Sequence, residues 1–420
     1  MNVNSTKPAT DTAEKTFATH SEAASDEPAA VADAEADSAK VDSKMETEGL
    51  VDGATSIARE TGDSTTSDIA PAPRPDFTNR PTGEANVLTA GVWDDNSNWP
   101  FFTNLVNAGT IGFPAYGIDP THRIKVTVTD AAGNALRNEP VQLRDESGAA
   151  LWDATTDKNG IAYLFFRDGQ VPATAVAGSV EQPLTTTADN PEDRQGAPIM
   201  RTVDDVTIAA TKPTGVDVNG LQVMFIVDTT GSMTDEIAYL QADFAKIAGD
   251  VGSDGVTYSV NFYRDAEDEY VTKCNDFTSD VSHVQNLLNN EYATGGGDTP
   301  EAVADILQET ITNNGQWKDD CGKIAFLIFD APPHDGTEPV IDAAVRSAAE
   351  RGIALVPVVA SNAERDTELF GRAMAICTNG TYVFLTDDSG VGDSHLEPIV
   401  GDYSVELLHD IIVRLINDAR

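Results

Sequence analysis

Apolar residues form two kinds of pattern along this chain, and each indicates a different kind of strand. Nearly unbroken apolar runs at 221–227 and 324–329 are typical of strands buried on both faces of a parallel sheet. From 124 to 129, apolar and polar residues alternate instead, which favours a strand with one face on a core and the other in solvent. These patterns therefore predict two different β-architectures that follow one another along the chain.

The C-terminal half alternates predicted strands with predicted helices, which indicates an α/β fold with a doubly wound, mainly parallel sheet. Strands are expected at 221–227, 256–263, 324–329, 354–359 and 382–385, with an antiparallel edge strand at 269–277. Helices are expected at 237–251, 299–312, 338–351 and 405–416. In the second of these helices, Thr299 is predicted to be the N-cap and Pro300 the first helical residue.

The preceding segment predicts a small antiparallel β-sandwich at 118–212. Short strands at 124–129, 141–143, 161–166 and 203–210 are separated by turn sequences at 130–134 and 157–160. Their spacing resembles that of immunoglobulin-like or carboxypeptidase-regulatory-like modules, without the cysteine pair of antibody domains.

Before the sandwich, the chain shows little periodicity. Residues 1–85 are acidic, rich in Ala, Ser and Thr and poor in aromatic residues, and are predicted to be a disordered tail. Residues 86–117 are predicted to be a linker or extension. Within it, Trp93 to Trp99 encloses several Asp and Asn residues, which permits a calcium loop, but the EF-hand spacing is missing. The favoured interpretation is a capped loop whose tryptophans pack on a neighbouring domain.

Charge limits the classes of partner. The 420 residues contain 27 Lys and Arg against 69 Asp and Glu, a formal net charge of -42. Such a charge repels nucleic acid and anionic lipid, so neither is an expected partner. Scarce lysine is also consistent with a salt-rich environment. No apolar run is long enough for a transmembrane helix, so direct membrane insertion is not expected.

Three short segments carry the candidate chemistry. Two follow predicted buried strands and the third opens a predicted helix; their oxygen-bearing side chains are Asp228, Thr230, Ser232, Thr299 and Asp330. Hydroxyl and carboxylate oxygens suit a hard divalent cation such as Mg²⁺. Neutral hydroxyl ligands leave such an ion incompletely neutralised and able to attract an external anion.

The order Asp-x-Thr-x-Ser, then Thr299, then a strand-terminal Asp330 resembles the metal-ion-dependent adhesion site of von Willebrand factor type A domains. This resemblance covers about 219–420 and implies a Rossmann-like sheet carrying one Mg²⁺, Mn²⁺ or Ca²⁺ that binds protein ligands. Thr230 departs from the commonest pattern, which has Ser. Flanking segments resemble a bacterial branch in which the domain follows an immunoglobulin-like module.

The resemblance implies a binding protein whose cation captures an acidic side chain of a partner protein. A metal-assisted hydrolase is the alternative, with Asp265 or His334 as a possible base. We expect no enzyme, because no nucleophile or oxyanion device stands beside the site. A phosphate loop is disfavoured, since no Gly-Lys-Ser/Thr follows the glycines at 295–297.

Localisation stays open at this stage. The first residues lack the pattern of a secretory signal, and the first cysteine is Cys274, so neither a signal peptide nor a lipid-anchor cysteine is expected in this sequence. The resemblance nevertheless suggests an extracellular or cell-surface protein. Cys377 is expected to be a core residue, and a Cys274–Cys321 bridge is one possibility.

Overall fold

The computed structural model describes residues 88–185, 205–210, 213–297, 299–389 and 394–420, all of which fall within the unit Ile69–Arg420. The predicted disordered tail at 1–85 lies outside the described residues, as does part of the predicted sandwich at 186–204.

Strands and helices mostly alternate from residue 220 onward, whereas the described residues between 123 and 209 form strands and no helix. The strands are β1 Thr89–Trp93, β2 Arg123–Thr129, β3 Pro140–Asp145, β4 Ala150–Thr155, β5 Ile161–Phe165, β6 Pro172–Ala177, β7 Val180–Pro183, β8 Val206–Ala209, β9 Gly220–Asp228, β10 Val256–Tyr263, β11 Thr272–Lys273, β12 Cys321–Phe329, β13 Ile353–Val359, β14 Tyr382–Thr386 and β15 Glu406–Leu407. The α-helices are α1 Trp99–Asn107, α2 Thr234–Val251, α3 Val281–Asn289, α4 Val303–Leu307, α5 Glu338–Arg351, α6 Arg365–Cys377 and α7 Leu408–Asp418. Short turns of helix lie at Gly231–Met233, Gln308–Thr312 and Asp387–Ser389.

The main sheet has the order β11-β10-β9-β12-β13-β14-β1-β15. Its five central strands, β10, β9, β12, β13 and β14, pair in parallel, whereas β11, β1 and β15 pair antiparallel at the edges. This confirms the predicted α/β fold with a mainly parallel sheet. The strand order reverses between β9 and β12, so the carboxyl ends of these two strands border the crevice where such sheets bind ligands.

Helices cover both faces of the sheet because the long apolar strands supply buried side chains alternately to each side. In β12, Ala325, Leu327 and Phe329 join the core under α4, α5 and α6. Ile324, Phe326 and Ile328 join the opposite core, under α2, α3 and α7. The unbroken apolar pattern therefore has the expected cause, which is burial on both faces.

Several boundaries differ from the sequence-based expectations. The edge strand expected at 269–277 is reduced to β11, and the expected set did not include α6. The helix expected from 299 begins at Val303, with Ala302 as its N-cap. Thr299 is therefore not an N-cap and Pro300 is not the first helical residue, because the Glu301 amide donates to Pro332 O at 3.1 Å and holds this stretch against the loop after β12.

The small strands form two further sheets, β5-β2-β8 and β4-β3-β6-β7. Their pairings are antiparallel except that β2 pairs with β8 in parallel, which differs from the purely antiparallel arrangement predicted. Inward residues of both sheets, such as Val126 and Leu143, belong to one apolar core that continues to α5 and α6 of the main sheet. The predicted turns form as expected: Asp130 Oδ1 accepts amides two and four residues later, at 2.8 Å each.

Residues 86–117, predicted to be a linker or extension, contribute β1 to the main sheet and α1 beside it. The aspartates between the tryptophans are engaged within the protein rather than forming an open calcium loop. Asp95 accepts from the Trp93 indole at 2.9 Å and from two guanidinium nitrogens of Arg372, at 2.8 and 2.9 Å. Arg372 also donates to Glu368 at 3.2 Å. Asp95, Glu368 and Arg372 are almost fully buried, so this ion cluster joins the N-terminal segment to α6.

A second ionic contact joins α7 to α2. His409 contacts Asp243 at 2.6 Å and Asp250 at 2.9 Å, and Asp243 also accepts from Lys246 at 3.0 Å. Burial of the imidazole opposes its charging, but the hydrogen bonds and negative charges of the two aspartates outweigh burial and raise the pKa of His409 above 6.5. Protonated His409 therefore stabilises the contact between the two helices.

We expect this contact to make stability depend on pH. Because the pKa of His409 is raised on folding, its contribution is complete below the unfolded value near 6.5 and is lost as pH rises through the folded value. His409→Gln should remove about 0.5–1 kcal/mol of stability at pH 6 and almost none at pH 9. Urea unfolding at both pH values measures this, and an equal loss at both would contradict it.

Two further expectations concern the pairing of the cysteines and the insertion of the chain into a membrane. Cys274, Cys321 and Cys377 are all free thiols, so the possible Cys274–Cys321 bridge is not formed, and Cys377 is buried. In the described part of the chain, none of the helices has the length and apolar character needed to cross a membrane.

Candidate metal centre

Three loops are hydrogen bonded to one another at the carboxyl end of the sheet, beside the crevice between β9 and β12. The Thr294 amide donates to Thr229 O at 3.0 Å, and the Gly231 amide donates to Gly295 O at 3.1 Å. Glu301 pairs with Pro333 in an isolated parallel bridge, which joins the same segment to the loop after β12. The three sequence segments that carry the candidate ligands are thereby brought to one place.

Asp228, the last residue of β9, lies fully buried beneath Thr230. Its Oδ1 accepts from the Thr230 amide at 2.8 Å and from the Thr230 hydroxyl at 2.7 Å. Its Oδ2 is buried and makes no hydrogen bond of normal geometry, although the buried hydroxyl of Tyr263 lies close to the carboxyl group. Burial, followed by the negative charge of Asp330, raises the pKa of Asp228 to about 7. A cation placed beside a carboxyl group held in this way would stabilise its ionised form.

The other predicted residues line one open cavity of about 390 Å³. Thr230, Ser232, Thr299 and Asp330 all border it, with glycines 295–297 on one side. The hydroxyl of Thr230 is 3.5 Å from that of Ser232, and Ser232 donates to the carboxylate of Asp330. Ser232 and Thr299 are exposed, whereas Thr230 and Asp330 are buried. The structure thus brings the five predicted side chains together, with the two exposed hydroxyls at the mouth.

Gly296 allows its loop to lie close to the side chains of Thr230 and Glu301. Its φ is +64°, a left-handed conformation that side chains rarely adopt. A Cβ atom there would lie 3.0 Å from the Thr230 Cβ and 2.9 Å from Oε1 of Glu301. Any other residue would therefore press on two side chains of the site.

Sequence reasoning missed two buried carboxylates beside the cavity. Glu301 lines it, is 4% exposed, and has an Oε2 without a partner. Burial, and then the charges of Asp228, Asp265 and Asp330, raise the pKa of Glu301 to about 9. Glu236 accepts from the Ser361 hydroxyl at 2.6 Å, and its Oε2 is likewise unpartnered. Glu301 follows the candidate ligand Thr299 by two residues, which could have indicated that it lies near the site. The burial of Glu301 and Glu236 depends on tertiary packing and could not be predicted.

The donor set fits a hard cation better than a soft one. Hydroxyl and carboxylate oxygens are preferred by Mg²⁺, Mn²⁺ and Ca²⁺, and the buried Asp228 Oδ2, which makes no hydrogen bond of normal geometry, is free to face such an ion. Across the described ranges, no three or more His, Cys, Asp or Glu side chains are grouped as metal ligands. A cation here would therefore depend on the hydroxyls of Thr230, Ser232 and Thr299 as well as on carboxylates.

Comparison with known protein families agrees with the α/β fold of the main sheet. Residues 222–391 match the family model of the von Willebrand factor A domain. The chain contains a von Willebrand factor A domain. The matched region spans β9 to the segment after β14 and includes the candidate ligands Asp228, Thr230, Ser232, Thr299 and Asp330.

Individual relatives of the A domain are distant. A putative ariadne-like RING finger protein of Acanthamoeba polyphaga mimivirus is 26% identical over 211 residues, which are 45% of this chain and 20% of that protein. The chain thus matches about a fifth of the length of this relative. The crystal structure of the conserved hypothetical protein BatB from Bacteroides thetaiotaomicron covers 42% of this chain and 92% of its own, at 14% identity and a TM-score of 0.32.

Three histidines of the C-terminal half, His334, His395 and His409, lie apart from the ligand set. His334 contacts Asp265 at 2.6 Å on the same end of the sheet but does not border the cavity. His395 contacts Asp387 at 2.8 Å, and His409 lies between α7 and α2. Each of these three histidines therefore has a carboxylate partner of its own.

Proposed function

We propose that this chain is a divalent-cation-dependent protein-binding module in which Mg²⁺, or Mn²⁺ or Ca²⁺, captures an acidic side chain of a partner protein. The von Willebrand factor A domain is commonly a protein-interaction module. The observation that carries the proposal is the open cavity at the strand-order reversal, where three hydroxyls and Asp330 converge above the buried Asp228.

Each side chain has a distinct role in this proposal. Thr230, Ser232 and Thr299 would offer hydroxyl oxygens to the cation, while Asp330 and Asp228 would balance its charge directly or through water. The exposed position of Ser232 and Thr299 leaves a path from solvent. A bound cation would supply a positive charge on an otherwise acidic surface, and a partner carboxylate could complete its coordination.

We favour binding over metal-assisted hydrolysis on the evidence of the cavity lining. A hydrolase would need a base within reach of a cation-bound water. His334 is hydrogen bonded to Asp265 and lies outside the cavity lining. Among the described residues that border the cavity there is no imidazole, amine or thiol; the acid–base groups are the carboxylates of Asp330, which this proposal assigns to the cation, and of Glu301.

We expect partner capture to require the cation. The immobilised chain should retain proteins from an extract of its source organism in Mg²⁺ and release them in EDTA, and Asp228→Ala should retain none of them. For a captured protein, replacing the contacting Asp or Glu with its amide should abolish retention. Retention of the same proteins in EDTA, or on Asp228→Ala, would contradict the proposal.

A further inference from the structure

One buried carboxylate at the cavity is not among the five candidate ligands. Glu301 lines the cavity together with the exposed Thr299 and the buried Asp330, yet it is itself only 4% exposed. Its Oε2 is buried and makes no hydrogen bond. Holding an ionised carboxylate out of water without a partner costs stability. A cation or a hydrogen-bond donor that enters the cavity would remove that cost.

The surrounding backbone fixes where the carboxylate of Glu301 lies. The Glu301 amide donates to Pro332 O at 3.1 Å, which holds the residue against the loop that begins with Asp330. On the other side, a Cβ atom on Gly296 would lie 2.9 Å from Glu301 Oε1 and 3.0 Å from the Cβ of Thr230. The carboxylate therefore adjoins both of the loops that follow β9 and β12.

No basic side chain neutralises this carboxylate within the protein. The cavity lining, as far as the structure describes it, contains no Lys, Arg or His. Of the ion pairs that the described residues form, none includes Glu301; His334, at the same end of the sheet, contacts Asp265 instead. The missing partner of Glu301 must therefore come from the contents of the cavity.

The spacing of the carboxylates favours an indirect contact between Glu301 and a cation. Within the described residues, no three side chains of His, Cys, Asp or Glu are grouped closely enough to hold a metal ion by themselves. A carboxylate set back from a metal can still orient what the metal binds, including its water. Mg²⁺ gives up its water reluctantly and keeps several molecules of it, whereas Ca²⁺ takes more direct oxygen ligands.

We infer that Glu301 is a sixth residue of the cation site, which accepts a hydrogen bond from cation-bound water and thereby strengthens the binding of Mg²⁺ more than that of Ca²⁺. This inference rests on the proposed function. Glu301 is in this sense a positioning residue, because it acts on the ion through water. The water supplies to Oε2 the donor that the chain itself does not provide.

Calorimetric titration of Mg²⁺ and of Ca²⁺ into the full chain and into Glu301→Gln tests the inference. The amide keeps the shape of the side chain but removes its charge. The Mg²⁺ affinity should fall about 10- to 100-fold. The Ca²⁺ affinity should fall by a factor that is at least about three times smaller. Equal Mg²⁺ affinities of the two proteins, or equal losses for the two ions, would overturn the inference.

A matched variant controls for the change in overall charge. Glu309→Gln removes the same charge at an exposed position of the turn Gln308–Thr312, and it should leave both affinities unchanged. If this variant lost as much Mg²⁺ affinity as Glu301→Gln, the effect would belong to net charge and not to the position of Glu301.

Stability without metal gives a readout that separates positioning from a structural role. Because Oε2 of Glu301 has no partner in the chain, Glu301→Gln should unfold in EDTA at the same urea concentration as the wild type or at a higher one. A lower midpoint would assign Glu301 a structural role and refute the inference.

A second variant keeps the test decisive if Glu301→Gln does not fold. Glu301→Asp retains the carboxylate but is shorter by one methylene, so its oxygens lie farther from the water. Its Mg²⁺ affinity should fall about two- to tenfold, and its Ca²⁺ affinity less. An unchanged Mg²⁺ affinity would show that the position of this carboxylate does not matter.

The outcomes also distinguish this inference from the proposed function. If the folded wild-type chain binds neither cation, or if Asp228→Ala binds Mg²⁺ as the wild type does, the proposed function fails and this inference fails with it. If Mg²⁺ binding depends on Asp228 but not on Glu301, only the inference about Glu301 fails.

Discussion

Replacing Arg372 with methionine is expected to lower the free energy of unfolding by ~3–5 kcal/mol. The guanidinium is fully buried and makes two hydrogen bonds to Asp95 and one to Glu368. Methionine fills similar space but leaves the buried carboxylate of Asp95 without its cation and Glu368 with Arg365 alone, and an unpaired buried charge is strongly destabilising. Urea unfolding followed by circular dichroism measures the loss.

A matched control variant tests whether the loss of stability in Arg372→Met depends on the burial of the guanidinium. Arg346→Met removes the same kind of side chain from a partly exposed position, where Arg346 contacts Asp342 at 2.9 Å and lies 4.5 Å from the ring of Trp152. This variant should lose about 1 kcal/mol. Similar losses in the two variants would mean that the buried cluster does not hold the N-terminal segment to α6.

Mg²⁺ is expected to stabilise the protein, and Asp228→Asn is expected to remove that stabilisation. A ligand that binds only the folded state at 100 times its Kd adds about 2.7 kcal/mol to the free energy of unfolding. The amide can still accept the two hydrogen bonds from Thr230 but lacks the negative charge that would attract the cation. Urea unfolding in Mg²⁺ and in EDTA measures the difference.

Without metal, Asp228→Asn is expected to have the opposite effect and to increase stability. Wild-type Asp228 is fully buried near Asp330, with one oxygen unpartnered, so removing its charge should make the metal-free protein about 1–3 kcal/mol more stable. Asp254→Ala, an exposed change at the other end of the sheet, should alter neither value. A Mg²⁺ effect that persists in Asp228→Asn would contradict the ligand assignment.

The strands of the main sheet could be predicted because their cause is local. An apolar run such as 324–329 must be buried on both faces, and the next polar residue, Asp330, then lies at the carboxyl edge of the sheet. The same reasoning placed Asp228 at the end of β9. Prediction of the candidate site therefore followed from prediction of where buried strands end.

Features set by distant contacts could not be predicted in this way. β1 joins the sheet by pairing Thr89 with Thr386, almost the whole described length away, and nothing in 86–117 alone indicates that partner. The start of α4 was misplaced because Thr299-Pro300 has the local pattern of a helix start, while the Glu301 amide bonds to Pro332 O in the fold. Propensity was overridden by tertiary structure in both places.

The buried carboxylates illustrate the same limit. Glu236 and Glu301 look like ordinary polar residues near helix starts, and only the folded chain shows that each is buried with an unpartnered oxygen.

Calorimetric titration of Mg²⁺ and Mn²⁺ into the wild-type chain and Asp228→Ala decides whether these oxygens hold a cation. We predict one site per wild-type chain, and no measurable binding by an Asp228→Ala protein whose circular dichroism spectrum is unchanged. Equal binding by the two proteins, or no binding by the folded wild-type chain, would contradict a cation held by Asp228, Thr230, Ser232, Thr299 and Asp330.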